Sequence, residues 1–257
     1  MKKLLSVVIV LSFSLQVALA EAKDAYVPKV YGNKHYVWDE MTPERIEVLK
    51  QTRDPVAGKE AFRGCQGCHK ADAAGVREGV YPRLTGQHAS VLIKQITEIR
   101  AGIRKNPKML PFVQDPAISV QEIGDIAAYL STLTSYRENG KGPEDLSEKG
   151  KKLFMANKCY TCHGKNGEGN AEKSYPVVAA QHYGYLIREM NLIRTGVRGN
   201  SNPDMVKAIS KFKQSDMDAV ADYLSRLPDY RTLNAAPAVE VKKAGEAAAA
   251  PASAAAH

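Results

Sequence analysis

The chain has 257 residues, 44% of them hydrophobic and 25% charged, with a formal net charge of +8. That length suits two small domains and is short for three. Beyond the N-terminus no stretch is long or apolar enough to cross a bilayer.

Residues 1–20 carry Lys2 and Lys3, an apolar run from Leu4 to Leu15, and Ala18-Leu19-Ala20. This is the plan of a secretory signal with a small-residue cleavage site, so cleavage after Ala20 and export to the periplasm are expected. Retention of the segment as an N-terminal anchor is the alternative. Residues 21–53 form an extension holding Tyr26, Tyr31, Tyr36 and the sole Trp38, then Thr42-Pro43-Glu44, a start signal for a short helix. The extension is expected to pack on a domain, with docking of a particular partner protein as the other reading. Asp54-Pro55 reads as a cap and first helical residue, and Ser147 as its counterpart later in the chain.

The cysteines occur only in Cys65-Gln66-Gly67-Cys68-His69 and Cys159-Tyr160-Thr161-Cys162-His163. Both read C-x-x-C-H, the attachment sequence for c-type haem. Each thiol adds to one vinyl group of the same porphyrin, and the adjacent His falls beneath the iron. A thioredoxin-like pair needs no following His, and a zinc site would not repeat it in place. Two covalent haems are therefore predicted, with Cys65, Cys68, Cys159 and Cys162 as attachment points and His69 and His163 as metal ligands. The charge now reads differently. Loss of Lys2 and Lys3 takes +8 to +6, and four haem propionates leave roughly +2, so no nucleic-acid partner is implied.

The second motif follows the first by 94 residues, and the same offset pairs Tyr81-Pro82 with Tyr175-Pro176, Gln87-His88 with Gln181-His182, Arg100 with Arg194, and Arg104 with Arg198. The chain is a duplicated single-haem domain. Each copy shows Gly-bearing loops, a long helix from near Gln87 or Gln181 to near Gly102 or Gly196, and a last helix opened by Ser119-Val120-Gln121-Glu122 or by Ser215-Asp216-Met217-Asp218. No segment alternates as a strand. The expected fold is all-α, with two tandem domains.

Asn106-Pro107-Lys108-Met109 corresponds to Asn202-Pro203-Asp204-Met205. A loop methionine at matched order in both copies makes Met109 and Met205 the expected sixth ligands, thioether ligation favouring ferrous iron. Met155, Met190 and Met217 read as core. His88 and His182 are competing ligands, against a structural hydrogen bond or interdomain contact. Pro82 and Pro176 could each accept the proximal imidazole N–H. Arg100, Arg104, Arg194 and Arg198 could meet propionates or partners, or be solvated helix faces.

C-x-x-C-H, then Tyr-Pro, then Gln-His opening a helix that ends Arg-x-Gly-x-Arg, then Asn-Pro-x-Met, all twice over roughly residues 54–230, resembles the two-haem class I cytochromes of the cytochrome c4 family. The resemblance implies two class I cytochrome c domains, 54–137 and 138–232, with haem edges facing across a pseudo-two-fold interface and each iron His/Met ligated. It also implies a soluble periplasmic carrier serving transient partners such as a terminal oxidase, a reductase or a quinol-oxidising complex. Signal 1–20 and extension 21–53 precede the domains, and the Ala/Pro-rich tail 233–257 is expected to be disordered. With both irons six-coordinate no substrate position remains, so a carrier and not an enzyme is expected, with no transmembrane span after signal cleavage. The alternatives are a two-haem oxidoreductase of the peroxidase or thiosulfate dehydrogenase type with one catalytic haem, and an electron-transfer subunit of a membrane complex.

Overall fold

In the computed structural model, described over residues 36–134 and 138–232, the chain forms two helical units of matching order. The signal segment, the part of the extension holding Tyr26 and Tyr31, and the tail from residue 233 with His257 lie outside the described residues. Among the described residues there is no strand, only an isolated antiparallel bridge between Asn170 and Tyr175. The first unit contains α2 (Pro55–Ala61), a 3-10 turn (Phe62–Cys65), α3 (Gln66–His69), α4 (Ala89–Arg100), α5 (Leu110–Val113) and α6 (Val120–Thr132), and is preceded by α1 (Pro43–Lys50). The second contains α7 (Ser147–Ala156), α8 (Tyr160–His163), α9 (Tyr183–Arg194), α10 (Pro203–Ile209) and α11 (Gln214–Arg226).

The helix starts follow local chemistry. Thr42 Oγ1 accepts from Arg45 N at 3.3 Å, Asp54 Oδ1 from Val56 N at 2.7 Å, and Ser119 and Glu122 close a reciprocal capping box. Gly102 and Gly196 sit at φ +71° and +72° just past α4 and α9, the left-handed cap that glycine adopts without steric cost. Two expected starts are displaced. Ser147 is the first residue of α7 and not its cap; its amide and hydroxyl both turn to Asp145, while Asp222 accepts the Leu146 N–H at 2.8 Å. Ser215 lies inside α11, where Asp216 accepts instead from Lys213 N at 3.2 Å.

Each core forms between the unit's long middle helix and its last, α4 with α6 and α9 with α11, and is closed by Phe62 or Phe154. Phe62, Ile93, Ile96, Ile99, Ile123, Ile126 and Leu130 are buried in the first, and Phe154, Leu186, Met190, Ile193, Met217, Val220 and Leu224 in the second. Such side chains stabilise by roughly 1.5–3 kcal/mol each. Met190 and Met217 are core, as expected, but Met155 is exposed.

The units meet about a pseudo-two-fold axis, and the contacts repeat in reciprocal register. Gln87 bonds both backbone groups of Val177 (3.0 and 2.9 Å), and Gln181 both backbone groups of Arg83 (2.9 and 2.9 Å). His88 Nε2 meets Glu168 O at 2.8 Å and His182 Nε2 meets Ala74 O at 2.7 Å. This is an isologous interface within one chain. The chain end then returns to the first unit through a buried Arg83–Asp229 pair at 2.7 Å and an Arg231 bond to Leu133 O.

Candidate haem-binding sites

Each C-x-x-C-H motif lies on a short helical turn between the unit's first helix and a glycine-bearing loop. Gly75 N donates back to His69 O at 3.0 Å and Gly169 N to His163 O at 2.8 Å. Both glycines take positive φ, and a Cβ at either would come within 2.4 Å of the Tyr81 or Tyr175 carbonyl. The loop thereby brings Pro82 and Pro176 beside the histidines. His163 Nδ1 donates to Pro176 O at 3.2 Å; His69 Nδ1 faces Pro82 O but stays outside hydrogen-bonding geometry, with no other partner.

The residues fit c-type haem on several counts. The four cysteines are half-buried and not joined to one another. Burial raises the Cys65 and Cys159 thiols, as expected of cysteines held against an apolar core. Burial also lowers both motif histidines, only partly opposed by the Pro82 and Pro176 carbonyls, so the imidazoles are held in the neutral, ligating form. Their Nε2 atoms take no protein hydrogen bond among the described residues, leaving a lone pair for a metal. Cys65 and Met109 pack on one core, Cys159 and Met205 on the other.

The two methionines are placed differently from each other. Met109 sits just before α5, with its amide held by Asn106, whereas Met205 lies in the first turn of α10 and not on a loop. The competing histidines, His88 and His182, are interdomain contacts, their rings engaged with backbone of the opposite unit. Arg100 and Arg194 are not solvated faces. Each braces the segment leading to its unit's last helix, donating to Ile118 O and Phe212 O at 3.0 Å.

Arg104 and Arg198 enter a buried network that the sequence reading missed. Arg104 donates to Gln95 of its own unit (2.5 Å) and to Glu189 of the other (3.2 Å); Arg198 reciprocates with Glu189 (2.9 Å) and Gln95 (3.4 Å). Gln95 and Glu189 are themselves 94 residues apart. That register was the available signal, but it does not show that the two positions face each other across the units. Burial alone would raise the Glu189 carboxyl, yet Arg198, Arg104 and Arg188 hold it below the usual carboxylate range. Tyr81 and Tyr175 were also missed as site residues: the second cysteine of each motif, Cys68 or Cys162, contributes to raising the tyrosine above its usual range, and Tyr81 lies edge-on to His69 at 6.1 Å.

Two helical units, each presenting a C-x-x-C-H turn and a methionine on one core, define a two-domain c-type cytochrome. The cytochrome c family model matches twice, over residues 55–134 and 147–228. Cytochrome c4 of Azotobacter vinelandii is 30% identical over 193 residues, spanning 68% of this chain and 89% of that one. The thiosulfate dehydrogenase electron acceptor of Stutzerimonas stutzeri is 32% identical over 181 residues, spanning 67% and 82%. The reduced cytochrome c4 of Pseudomonas stutzeri superposes with a TM-score of 0.61 at 29% identity, covering 69% of this chain and all of that one. The chain belongs to the cytochrome c4 family and carries two covalently bound c-type haems.

Proposed function

We propose that this chain is an exported one-electron carrier in which His69 and Met109 ligate the first iron and His163 and Met205 the second. The bound haems supply the ferric/ferrous couple; the protein attaches, orients and shields them. The observation that carries the reading is the duplication of a neutral, half-buried imidazole and of a thioether against the core in each unit, which as a ligand pair leaves neither iron a position for substrate. The domain limits follow: signal 1–20, extension 21–53, cytochrome domains 54–137 and 138–232, tail 233–257. Among the described residues no helix is long and apolar enough to cross a membrane, which accords with a periplasmic carrier once the signal is removed.

The partners in this reading are redox proteins that dock transiently around the haem edges, with a terminal oxidase, a reductase or a quinol-oxidising complex as classes. The Stutzerimonas relative adds a specific donor, a thiosulfate dehydrogenase. Absorption spectroscopy of the oxidised, haem-loaded protein tests the assignment. Two Met-ligated haems per chain are expected from the long-wavelength charge-transfer band, one lost in Met109→Ala and the other in Met205→Ala. A wild-type protein with one Met-ligated haem beside a high-spin partner would overturn the carrier reading in favour of an enzyme.

A further inference from the structure

Lys94 and Arg188 hold equivalent positions on α4 and α9 but are used differently. Arg188 reaches into the first unit and donates to the Gly79 and Val80 carbonyls (2.8 and 3.2 Å), directly ahead of Tyr81-Pro82. Lys94 makes no reciprocal reach. It is fully buried against the rings of Trp38 and Tyr36, 4.0 and 5.5 Å from their centroids, and pairs with Glu98 at 2.6 Å. Residues 36–45 take over its place on the second unit. Trp38 stacks on Tyr175 with centroids 6.3 Å apart and planes 21° apart, and the buried Arg45 donates to Ser174 Oγ at 3.0 Å while pairing with Asp39 at 2.7 Å. Ser174 is buried and held at φ +53°, a left-handed conformation uncommon for serine. Two residues on from Ser174, and directly after Tyr175, the Pro176 carbonyl accepts from His163 Nδ1. Among the described residues no counterpart of this segment reaches the equivalent loop of the first unit, which Arg188 contacts instead, and there the Pro82 carbonyl faces His69 Nδ1 without closing the hydrogen bond.

We propose that residues 36–45 are a clamp on the second haem site: Trp38 and Arg45 fix Ser174-Tyr175, and so hold the Pro176 carbonyl on His163 and depress the reduction potential of the second iron. Trp38 and Arg45 are positioning residues, acting through the loop. The inference rests on His163 ligating iron, as proposed above. A hydrogen bond from Nδ1–H to a carbonyl raises the basicity of the ligating imidazole, which favours ferric iron; loosening it favours ferrous iron. The segment lies ahead of the cytochrome c match, which begins at residue 55, so the clamp belongs to this chain's extension and not to the duplicated domains.

The test is a redox titration of the full haem-loaded protein, with each iron followed through its ferric-state NMR resonances. Trp38→Ala removes the stack, and Ser174→Ala removes only the hydroxyl that Arg45 holds, keeping the test open should the larger truncation fold poorly. Expected in both is a several-fold shift of the second iron's reduced-to-oxidised ratio toward reduced at fixed ambient potential, with the first iron unmoved and the Met-ligation band retained; Trp38→Phe, which keeps a ring on Tyr175, stays close to wild type. Unchanged ratios at both irons, equal shifts at both, or loss of the Met205 band would overturn the clamp. Failure of the underlying ligand assignment is distinguishable, because it is read on the unaltered protein before any of these variants is made.

Discussion

At the scale of single residues, His182 shows how a duplicated histidine that looks like a ligand becomes a structural pin. Its Nδ1 accepts the Gly140 N–H at 3.0 Å, so the proton sits on Nε2, which donates to Ala74 O at 2.7 Å. A second proton would have to face the Gly140 N–H. Burial lowers its pKa from the ordinary 6.5; the Ala74 carbonyl and Glu78 oppose this, and Arg83 and Arg77 reinforce it. Gln181, whose Oε1 accepts the ring's own backbone N–H, completes the surroundings. With the folded value depressed, the unfolded chain binds more protons below pH 6.5, so this stabilisation is complete above 6.5 and is lost as pH falls toward the folded value. His88, also lowered chiefly by burial, acts in the same direction. The denaturation midpoint should therefore drop between pH 7 and pH 5, and His182→Gln should be less stable at pH 7 but with a shallower pH slope. An unchanged slope would place the titration elsewhere. The sequence displayed the Gln-His repeat, but the ligand and the contact look alike until the opposite unit is in place, because a 94-residue register says nothing of what each copy faces.

At the scale of elements, the helix crossings depend on glycine. Gly58 on α2 lies where an added Cβ would stand 1.9 Å from Asp125 O, and Gly150 on α7 where it would stand 2.0 Å from Ala219 O, backbone positions 94 residues apart on α6 and α11. No rotamer change relieves a clash with backbone. Gly58→Ala should cost about 3 kcal/mol as the helices are forced apart, whereas Gly64→Ala, with nothing within 4 Å of its Cβ, should leave the denaturant midpoint within about 0.5 kcal/mol of wild type. Comparable losses in both would show that the crossing is not the sensitive point. The helices were legible from caps and stripes, and Thr42-Pro43 announced α1. Its destination was not legible. Val48 of α1 is fully buried over Gly124, where the second unit has Asp218 at the equivalent position, bonded by Tyr183. One unit thus needs a cover that the other does without, a difference expressed only in packing. The displaced starts at Ser147 and Ser215 have a similar origin, since Asp222 and Asp216 supply the acceptors that the serines were expected to supply.

At the scale of the whole molecule, the interface is symmetric in register and asymmetric in charge. Gln95 and Glu189 are equivalents, and both Arg104 and Arg198 converge on the one carboxylate. Lys94, Glu98 and Asn200 extend the network, Asn200 bonding Glu98 across the interface at 2.7 Å. Coulomb attraction here acts in place of water that would otherwise solvate two guanidiniums, so Glu189 is the group whose loss leaves buried charge uncompensated. Glu189→Gln keeps the shape and an acceptor oxygen but makes the pair Gln95/Gln189 beneath two arginines. The expected loss is about 3 kcal/mol, as for a buried pair deprived of one partner. Removing one arginine as well, in Glu189→Gln with Arg104→Met, should recover part of it, because the excess charge is then halved; a double variant as unstable as the sum of the two single ones would mean that the residues act independently. Measured by denaturant titration of the haem-loaded protein, the same cycle reports on function. Electron exchange between the units requires that their relative placement not drift, and a network in which each arginine bridges both units makes one domain's position the condition for the other's charge balance. A variant that loosened the interface while leaving each unit's Met-ligation band intact would separate the two: each haem would keep its own spectrum and potential, and only the transfer between them would slow.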